Sequence, residues 1–226
     1  LTGGYETAEL FRSWRDDLPL FGETSGKNSI IVTPNADIDL AVKDVVYSAF
    51  GHAGQKCSAG STVILVGSVA QSERFRRQLL DSVNSLHVAH PQDIESQMGP
   101  VVQKPEEKLL RGLTTLGPGE RWLIQPKELD ETGRLWSPGV REGVKPGSEY
   151  HMTEYFGPIL GIMTADTLEE AIELQNAPDY GLTAGLHSLD ADELELWLSK
   201  VQAGNLYVNR AITGAIVQRQ PFGGWK

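Results

Sequence analysis

The sequence predicts an α/β fold: an open, doubly wound, mostly parallel sheet with helices on both faces. Three observations carry that expectation. Short apolar runs rich in β-branched residues alternate along the chain with segments whose apolar residues recur at helical spacing. The strand-like runs are continuously apolar, as strands covered on both faces require. Ser, Thr and Asp also stand just ahead of periodic stretches, where helices open. In sheets of this kind sites lie outside the carboxyl ends of strands, so the loops that follow strands are the expected place for chemistry.

Taken in order, Ile30-Ile31-Val32 reads as a strand. A helix follows from Asp37, its N-cap, with Ile38, Ala41, Val42, Val45, Val46 and Ala49 at helical spacing and Asp39 in the favourable first turn. Gly51 and Gly54 break it and place Cys57 in the next loop, before a strand from Thr62 to Val66. Ser72 to Leu86 is a second helix, with Phe75, Leu79, Val83 and Leu86 on one face. Residues 95–150 are rich in Gly, Pro and charge and read as long surface loops, with a helix near Pro105–Leu113 and weak strands after it. Ile159–Met163 is a short buried strand. Thr167-Leu168-Glu169-Glu170 has capping-box spacing and opens a helix to about Gln175. Leu182–Leu186 is a strand. Asp190–Gln202 is a helix, with Gly204 expected in the left-handed position that ends it. Asn205–Val208 is the last strand.

The chain has 226 residues, with 20 basic against 30 acidic side chains and a formal charge of -10. That balance argues against a nucleic-acid partner, which needs a basic face. No apolar run approaches membrane-spanning length. One cysteine excludes a disulfide framework and a Cys-rich zinc site, and a lone thiol fits a reducing, cytoplasmic location. His87 and His90 have no third ligand nearby and read as surface residues. The start, Leu1-Thr2-Gly3-Gly4, lacks an initiator Met and the pattern of a signal peptide, so the chain reads as cut from something larger.

Cys57 sits in Gly54-Gln55-Lys56-Cys57-Ser58. Flanking glycines let backbone amides face a reacting oxygen, and a positive or dipolar environment turns a thiol into a nucleophile. By itself Cys57 reads first as a buried core thiol and only second as a nucleophile. Glu23, between Phe21-Gly22 and Thr24-Ser25-Gly26-Lys27, could be half-buried and so become a base near neutral pH, or could be an ordinary loop carboxylate. Glu154 precedes Tyr155-Phe156-Gly157-Pro158, where a carboxylate can accept ribose hydroxyls and an aromatic ring can pack on a nicotinamide. The bland reading is a turn before a strand. Gly214, Gly223 and Gly224 are equally compatible with simple tight turns.

In order and spacing, these segments resemble the aldehyde dehydrogenase superfamily from end to end. Glu23 with Ser25-Gly26-Lys27-Asn28 is similar to its general-base motif, Gly54-Gln55-Lys56-Cys57 to its nucleophile motif, Glu154 to Pro158 to its cofactor motif, and Pro221-Phe222-Gly223-Gly224 to its late turn. Trp136-Ser137-Pro138-Gly139-Val140, Val144 to Ser148, and Asn205 to Arg210 continuing through Thr213-Gly214-Ala215-Ile216-Val217 resemble the L-glutamate γ-semialdehyde (1-pyrroline-5-carboxylate) dehydrogenases. Some members of that group are fused behind a flavin-dependent proline dehydrogenase.

The resemblance implies NAD-dependent oxidation of L-glutamate γ-semialdehyde to L-glutamate, with Cys57 as nucleophile and Glu23 as base. It implies Glu154 and Phe156 toward the nicotinamide end of NAD and Gly4 near the pyrophosphate. It implies Ser58, Gly214, Ala215 and Phe222 around the substrate. FAD is implied only if the complete protein carries a proline dehydrogenase domain. A small aldehyde is the implied partner, and a homo-oligomer the implied assembly. Three departures stand out: Gly4 and Ala215 where Ser is usual, and Ser25 where Gly is common. The resemblance also implies that residues 1–22 belong to a preceding dinucleotide-binding domain and 23–226 to the catalytic domain. The Asn of the oxyanion hole and the oligomerisation strand would then lie outside this chain, and the 226 residues alone are expected to be inactive. The competing expectations are another aldehyde dehydrogenase, such as one for succinate semialdehyde, and a non-catalytic assembly or regulatory module.

Overall fold

A computed structural model describes residues 1–216 and 218–225; Val217, within the anchor-like stretch, and Lys226 lie outside the described residues. A seven-stranded sheet forms the centre, built from β3 (Asn28–Val32), β4 (Gly60–Val66), β5 (Arg121–Ile124), β6 (Gly139–Glu142), β7 (Ile159–Ala165), β8 (Thr183–His187) and β9 (Asn205–Val208). Its strand order is β5-β6-β7-β4-β3-β8-β9, and only the edge pair β5–β6 is antiparallel. The expected mostly parallel α/β architecture is therefore the observed one.

Four of the helices form two pairs. α2 (Ile38–Phe50) packs on α3 (Glu73–Asn84), and α6 (Leu168–Asn176) packs on α7 (Ala191–Lys200). The step from β3 to β4 and the step from β7 to β8 run in opposite directions across the sheet. Right-handed crossovers then put α2 and α6 on opposite faces. Capping follows the sequence: Asp37 accepts from the amides of Asp39 and Leu40, Ser72 from Phe75, Thr167 from Glu170, and Asp190 from Asp192 and Glu193. All five residues of β3 and of β8 are buried. Trp197 of α7 is fully buried and donates its indole N–H to Gln175 Oε1 at 2.7 Å. Gln175 Nε2 donates in turn to Ser29 O at 3.0 Å and Gly185 O at 3.3 Å, which fastens the α6–α7 layer to the sheet.

Four expectations are corrected. The helix expected near Pro105–Leu113 is α4 (Glu107–Thr114) and the weak strands after it are β5 and β6, but residues 95–150 are more than surface loops: the short α5 (Glu149–Met152) also lies there, and β6 is an interior strand. The charge of Arg141 interrupts the apolar signal of β6, yet Arg141 is buried against the Trp122 and Tyr150 rings and paired with buried Glu120 at 2.8 Å. Gly204 does not end α7. The helix stops at Lys200, Val201 is extended, and Gly204 is small because a Cβ there would lie 1.8 Å from Gly223 O. A ten-residue helix, α1 (Tyr5–Trp14), was not foreseen; only Ala8 of it is buried, so no inward apolar stripe marks it. Finally, Cys57, Glu23 and Glu154 precede β4, β3 and β7, so they cluster at the amino edge of the sheet rather than the carboxyl edge. Helix α2 runs antiparallel to the strands and returns the chain to that edge, where its C-terminal turn delivers Cys57.

Candidate active site

Three consecutive left-handed residues, His52, Ala53 and Gly54, lead into the loop that carries Cys57. Left-handed geometry costs about 1–2 kcal/mol for a residue with a Cβ, so this turn persists because its surroundings fix it. Gly54 is needed there: its φ is +67°, and a Cβ would lie 2.1 Å from Gly157 O. Gln55 Nε2 donates to Phe156 O at 3.1 Å, while its Oε1 accepts from the Val102 amide at 2.8 Å. The nucleophile-like segment is thus bolted to the Glu154–Pro158 segment.

The Glu23–Asn28 segment holds the same loop from the other side. Asn28 Nδ2 donates to Cys57 O at 2.7 Å and Ala59 O at 2.9 Å, and its Oδ1 accepts from the Thr183 amide at 3.0 Å. One buried amide therefore ties the amino ends of β3, β4 and β8 together. Gly26 has no room for a side chain, since a Cβ would lie 2.1 Å from Cys57 O. Ser25 adopts φ +55°, which explains why glycine suits this position. Its hydroxyl accepts from the Tyr5 amide at 3.3 Å and also hydrogen-bonds Glu154. Glu23 lies in β2 (Glu23–Thr24), which pairs in parallel with β1 (Thr2–Gly3), and is half-buried.

Beyond β9 the chain folds back along the sheet. The Ile212 amide donates to Ser48 Oγ at 3.1 Å, Asn205 Nδ2 to Gly223 O at 3.0 Å, and the Trp225 amide to Gly181 O at 2.8 Å. These bonds bring the Pro-Phe-Gly-Gly turn to the amino edge, where Gly223 borders Glu23 Oε1. A cavity of about 320 Å³ opens there, lined by Lys56, Cys57, Ser58, Gly214, Ala215, Ile216, Gln220 and Phe222. Gly214 takes φ +86°, open only to glycine without strain. A second, much smaller void of about 20 Å³ lies on the other side of Lys56 and is lined by Lys27, Tyr150, Glu154 and Phe156 among others. Neither wall includes Glu23 or Gly4. Gly4 instead caps the N-terminus of α1.

Burial pushes the Cys57 thiol up. The amides of Ser58 and Cys57 pull it down, and the Glu154 and Glu23 carboxylates push it up further. The expected thiolate-favouring environment is therefore only half present: backbone donors are in place, but the nearby charges oppose them. Burial also raises Glu154, against the lowering influence of Lys108, Ser25, the Gly26 amide and Lys27. Among the described residues no group of three or more His, Cys, Asp or Glu could hold a metal ion; His87 and His90 instead meet Asp93 and Asp130. No helix of the described residues is long and apolar enough to cross a membrane. Sequence reasoning did not single out Asn28, Gln55 or Lys27. Asn28 and Lys27 lie inside the base-like motif, and polar side chains leading into the apolar run at residues 30–32 were the available signal.

A family model described as "Aldehyde dehydrogenase family" matches residues 1–226. Over 207 residues the chain is 34% identical to the 1-pyrroline-5-carboxylate dehydrogenase of Bacillus subtilis, covering 91% of this chain and 40% of that protein. Among solved structures, proline utilization A (PutA) from Corynebacterium freiburgense is 60% identical with a TM-score of 0.96, covering 100% of this chain and 23% of that one. A 1-pyrroline-5-carboxylate dehydrogenase from Thermus with bound NAD is 36% identical with a TM-score of 0.87, covering 100% of this chain and 45% of that one. The chain thus spans about 40% of the length of the curated relatives it matches.

Proposed function

The chain belongs to the aldehyde dehydrogenase family, and from that premise we propose that the complete protein oxidises L-glutamate γ-semialdehyde to L-glutamate with NAD, in proline catabolism. The observation that carries the reading is the cavity in which Cys57 and Ser58 face Gly214, Ala215 and Phe222. Four segments far apart in sequence converge at or beside it. Relatives that carry the 1-pyrroline-5-carboxylate dehydrogenase name support the substrate.

Cys57 Sγ attacks the aldehyde carbon, and the new thiohemiacetal oxyanion draws on backbone N–H donors at the nucleophile loop. NAD, when bound, supplies the hydride acceptor. Oxidation leaves a thioester on Cys57, and Glu23 takes a proton from the water that hydrolyses it to the acid. Glu154 suits the cofactor side: it is a half-buried carboxylate already fixed by Ser25 and the Gly26 amide. Phe156 holds a partly exposed ring beside it through a left-handed backbone. Gly4, at the N-cap of a ten-residue helix, suits a pyrophosphate. Ser58, Gly214 and Ala215 take the amino-acid end, where small residues let amides reach a carboxylate, and Phe222 packs on the aliphatic chain.

A boundary near residues 22 and 23 between a dinucleotide-binding part and the catalytic domain follows the resemblance alone, and the β1–β2 pairing runs across it. FAD enters only if the complete protein carries a proline dehydrogenase. The lone free thiol supports a cytoplasmic, reducing location, and a homo-oligomer follows the resemblance alone. The test is turnover by the complete protein. We expect kcat/KM for glutamate semialdehyde to exceed that for succinate semialdehyde by at least about tenfold, the lower end of what losing one contacting substrate group costs. Equal or reversed preference refutes the substrate.

A further inference from the structure

Lys27 lies within the base-like motif but has no part in the chemistry above. Its side chain is buried, and its Nζ has no hydrogen-bond acceptor among the described residues. The ammonium instead rests on aromatic faces, 3.9 Å from the centre of the Tyr150 ring and 5.7 Å from that of Tyr155. A buried charge without an acceptor is destabilising relative to an apolar side chain of the same shape, so its retention calls for a partner. Lys27 and Glu154 line the same void of about 20 Å³, large enough for one water. We propose that Lys27 is a positioning residue for Glu154: its ammonium, held by the Tyr150 and Tyr155 rings, keeps that carboxylate a hydrogen-bond acceptor toward the cofactor ribose.

The surrounding charges agree with the assignment. Arg141 of β6 repels Lys27, while Glu154 and Glu120 attract it, and burial with the Arg141 field brings the amine down to about 7. His151 of α5 feels the Lys27 charge, Lys108 of α4 faces Glu154, and Lys56 lines the void. Both tyrosines are pushed up by burial and stay neutral beside it. Lys27 and Glu154 thus oppose each other's desolvation: burial raises the carboxyl, and the ammonium lowers it. A protonated Glu154 would present a donor where an acceptor is needed.

This inference rests on the proposed NAD-dependent reaction, and it is tested by binding rather than turnover. NAD affinity of the complete protein is titrated for the unmutated chain, Lys27→Met, Glu154→Gln and the double variant, alongside thermal midpoints. Lys27→Met should bind NAD about tenfold more weakly, one pKa unit of lost interaction, with its midpoint unchanged or raised. In the Glu154→Gln background Lys27→Met should change nothing further. The pH profile supplies a second readout: NAD affinity should fall as pH drops from 8 to 6, at a higher pH in Lys27→Met than in the unmutated protein because the ammonium no longer lowers Glu154, and the Glu154→Gln protein should not show that fall. Unchanged NAD affinity in Lys27→Met, an equal loss in both backgrounds, or a pH profile unaffected by Glu154→Gln overturns the inference and leaves the Cys57 chemistry standing. Failure of the unmutated protein to bind NAD at all overturns both.

Discussion

Replacing Asn28 with alanine tests how the site is held together. The amide makes three hydrogen bonds, to Cys57 O at 2.7 Å, Ala59 O at 2.9 Å and from the Thr183 amide at 3.0 Å. Each contributes about 0.5–1.5 kcal/mol net, and more where the partner is left buried and unpaired. Asn28 is only 3% exposed, so water cannot readily replace it, and the combined loss should be about 3 kcal/mol. In a domain of this size that lowers the thermal midpoint by roughly 6–12 °C. The assay is thermal unfolding of the complete protein followed by circular dichroism, with Asn35→Ala as control. Asn35 makes an exposed bond to Glu193 at 2.9 Å, and its loss should cost under about 1 kcal/mol. The Cys57 carbonyl would also be released, so alkylation of Cys57 should change in rate for Asn28→Ala and not for the control. A midpoint within a degree or two of the unmutated protein would refute the idea that Asn28 fastens three strands.

Two further outcomes follow. Gly54→Ala should abolish folded yield, because the added Cβ would lie 2.1 Å from Gly157 O on a φ of +67°, while Gly51→Ala, with nothing within 4 Å, should express normally. Expression and circular dichroism of the pair check this. His187 is fully buried and held down to about 4 from an ordinary 6.5, chiefly by burial. Its folded pKa is depressed, so the folded state binds its proton later than the unfolded chain. Its contribution is complete above about 6.5 and is lost as pH falls toward 4, about 3 kcal/mol in all. Asp44 beside it, raised by burial, acts in the opposite sense. Urea unfolding across pH 4–7 should show a steep acid limb that His187→Leu flattens.

The sheet was legible because β3, β4, β7 and β8 each carry a short apolar run, at residues 30–32, 63–66, 159–163 and 184–186, and the helix starts because Asp37, Ser72, Thr167 and Asp190 are true caps. β6 was hidden by Arg141, whose burial depends on Trp122, Tyr150 and Glu120 from other segments, partners that no local window contains. Gly204 misled for a similar reason: a left-handed cap and a close approach to Gly223 both demand glycine, and only the fold separates them. In the site, Cys57, Glu154, Ser58, Gly214, Ala215 and Phe222 were named from motifs, and the cavity unites all of these except Glu154. The edge of the sheet was misjudged because the rule for open α/β sheets concerns loops after strands. Here the return of α2, and the backward course of residues 211–216 and 218–225, carry the residues to the opposite end. Asn28, Gln55 and Lys27 act through contacts spanning tens of residues, and their types alone carry no such signal.

That Cys57 is the nucleophile is tested most directly by mass spectrometry of the complete protein quenched during turnover of glutamate semialdehyde with NAD. A substrate-derived acyl adduct should appear on Cys57, accumulating in Glu23→Gln where hydrolysis is slowed, with no turnover in Cys57→Ala. Normal turnover by Cys57→Ala, with no adduct at Cys57 in either of the other proteins, would contradict that role.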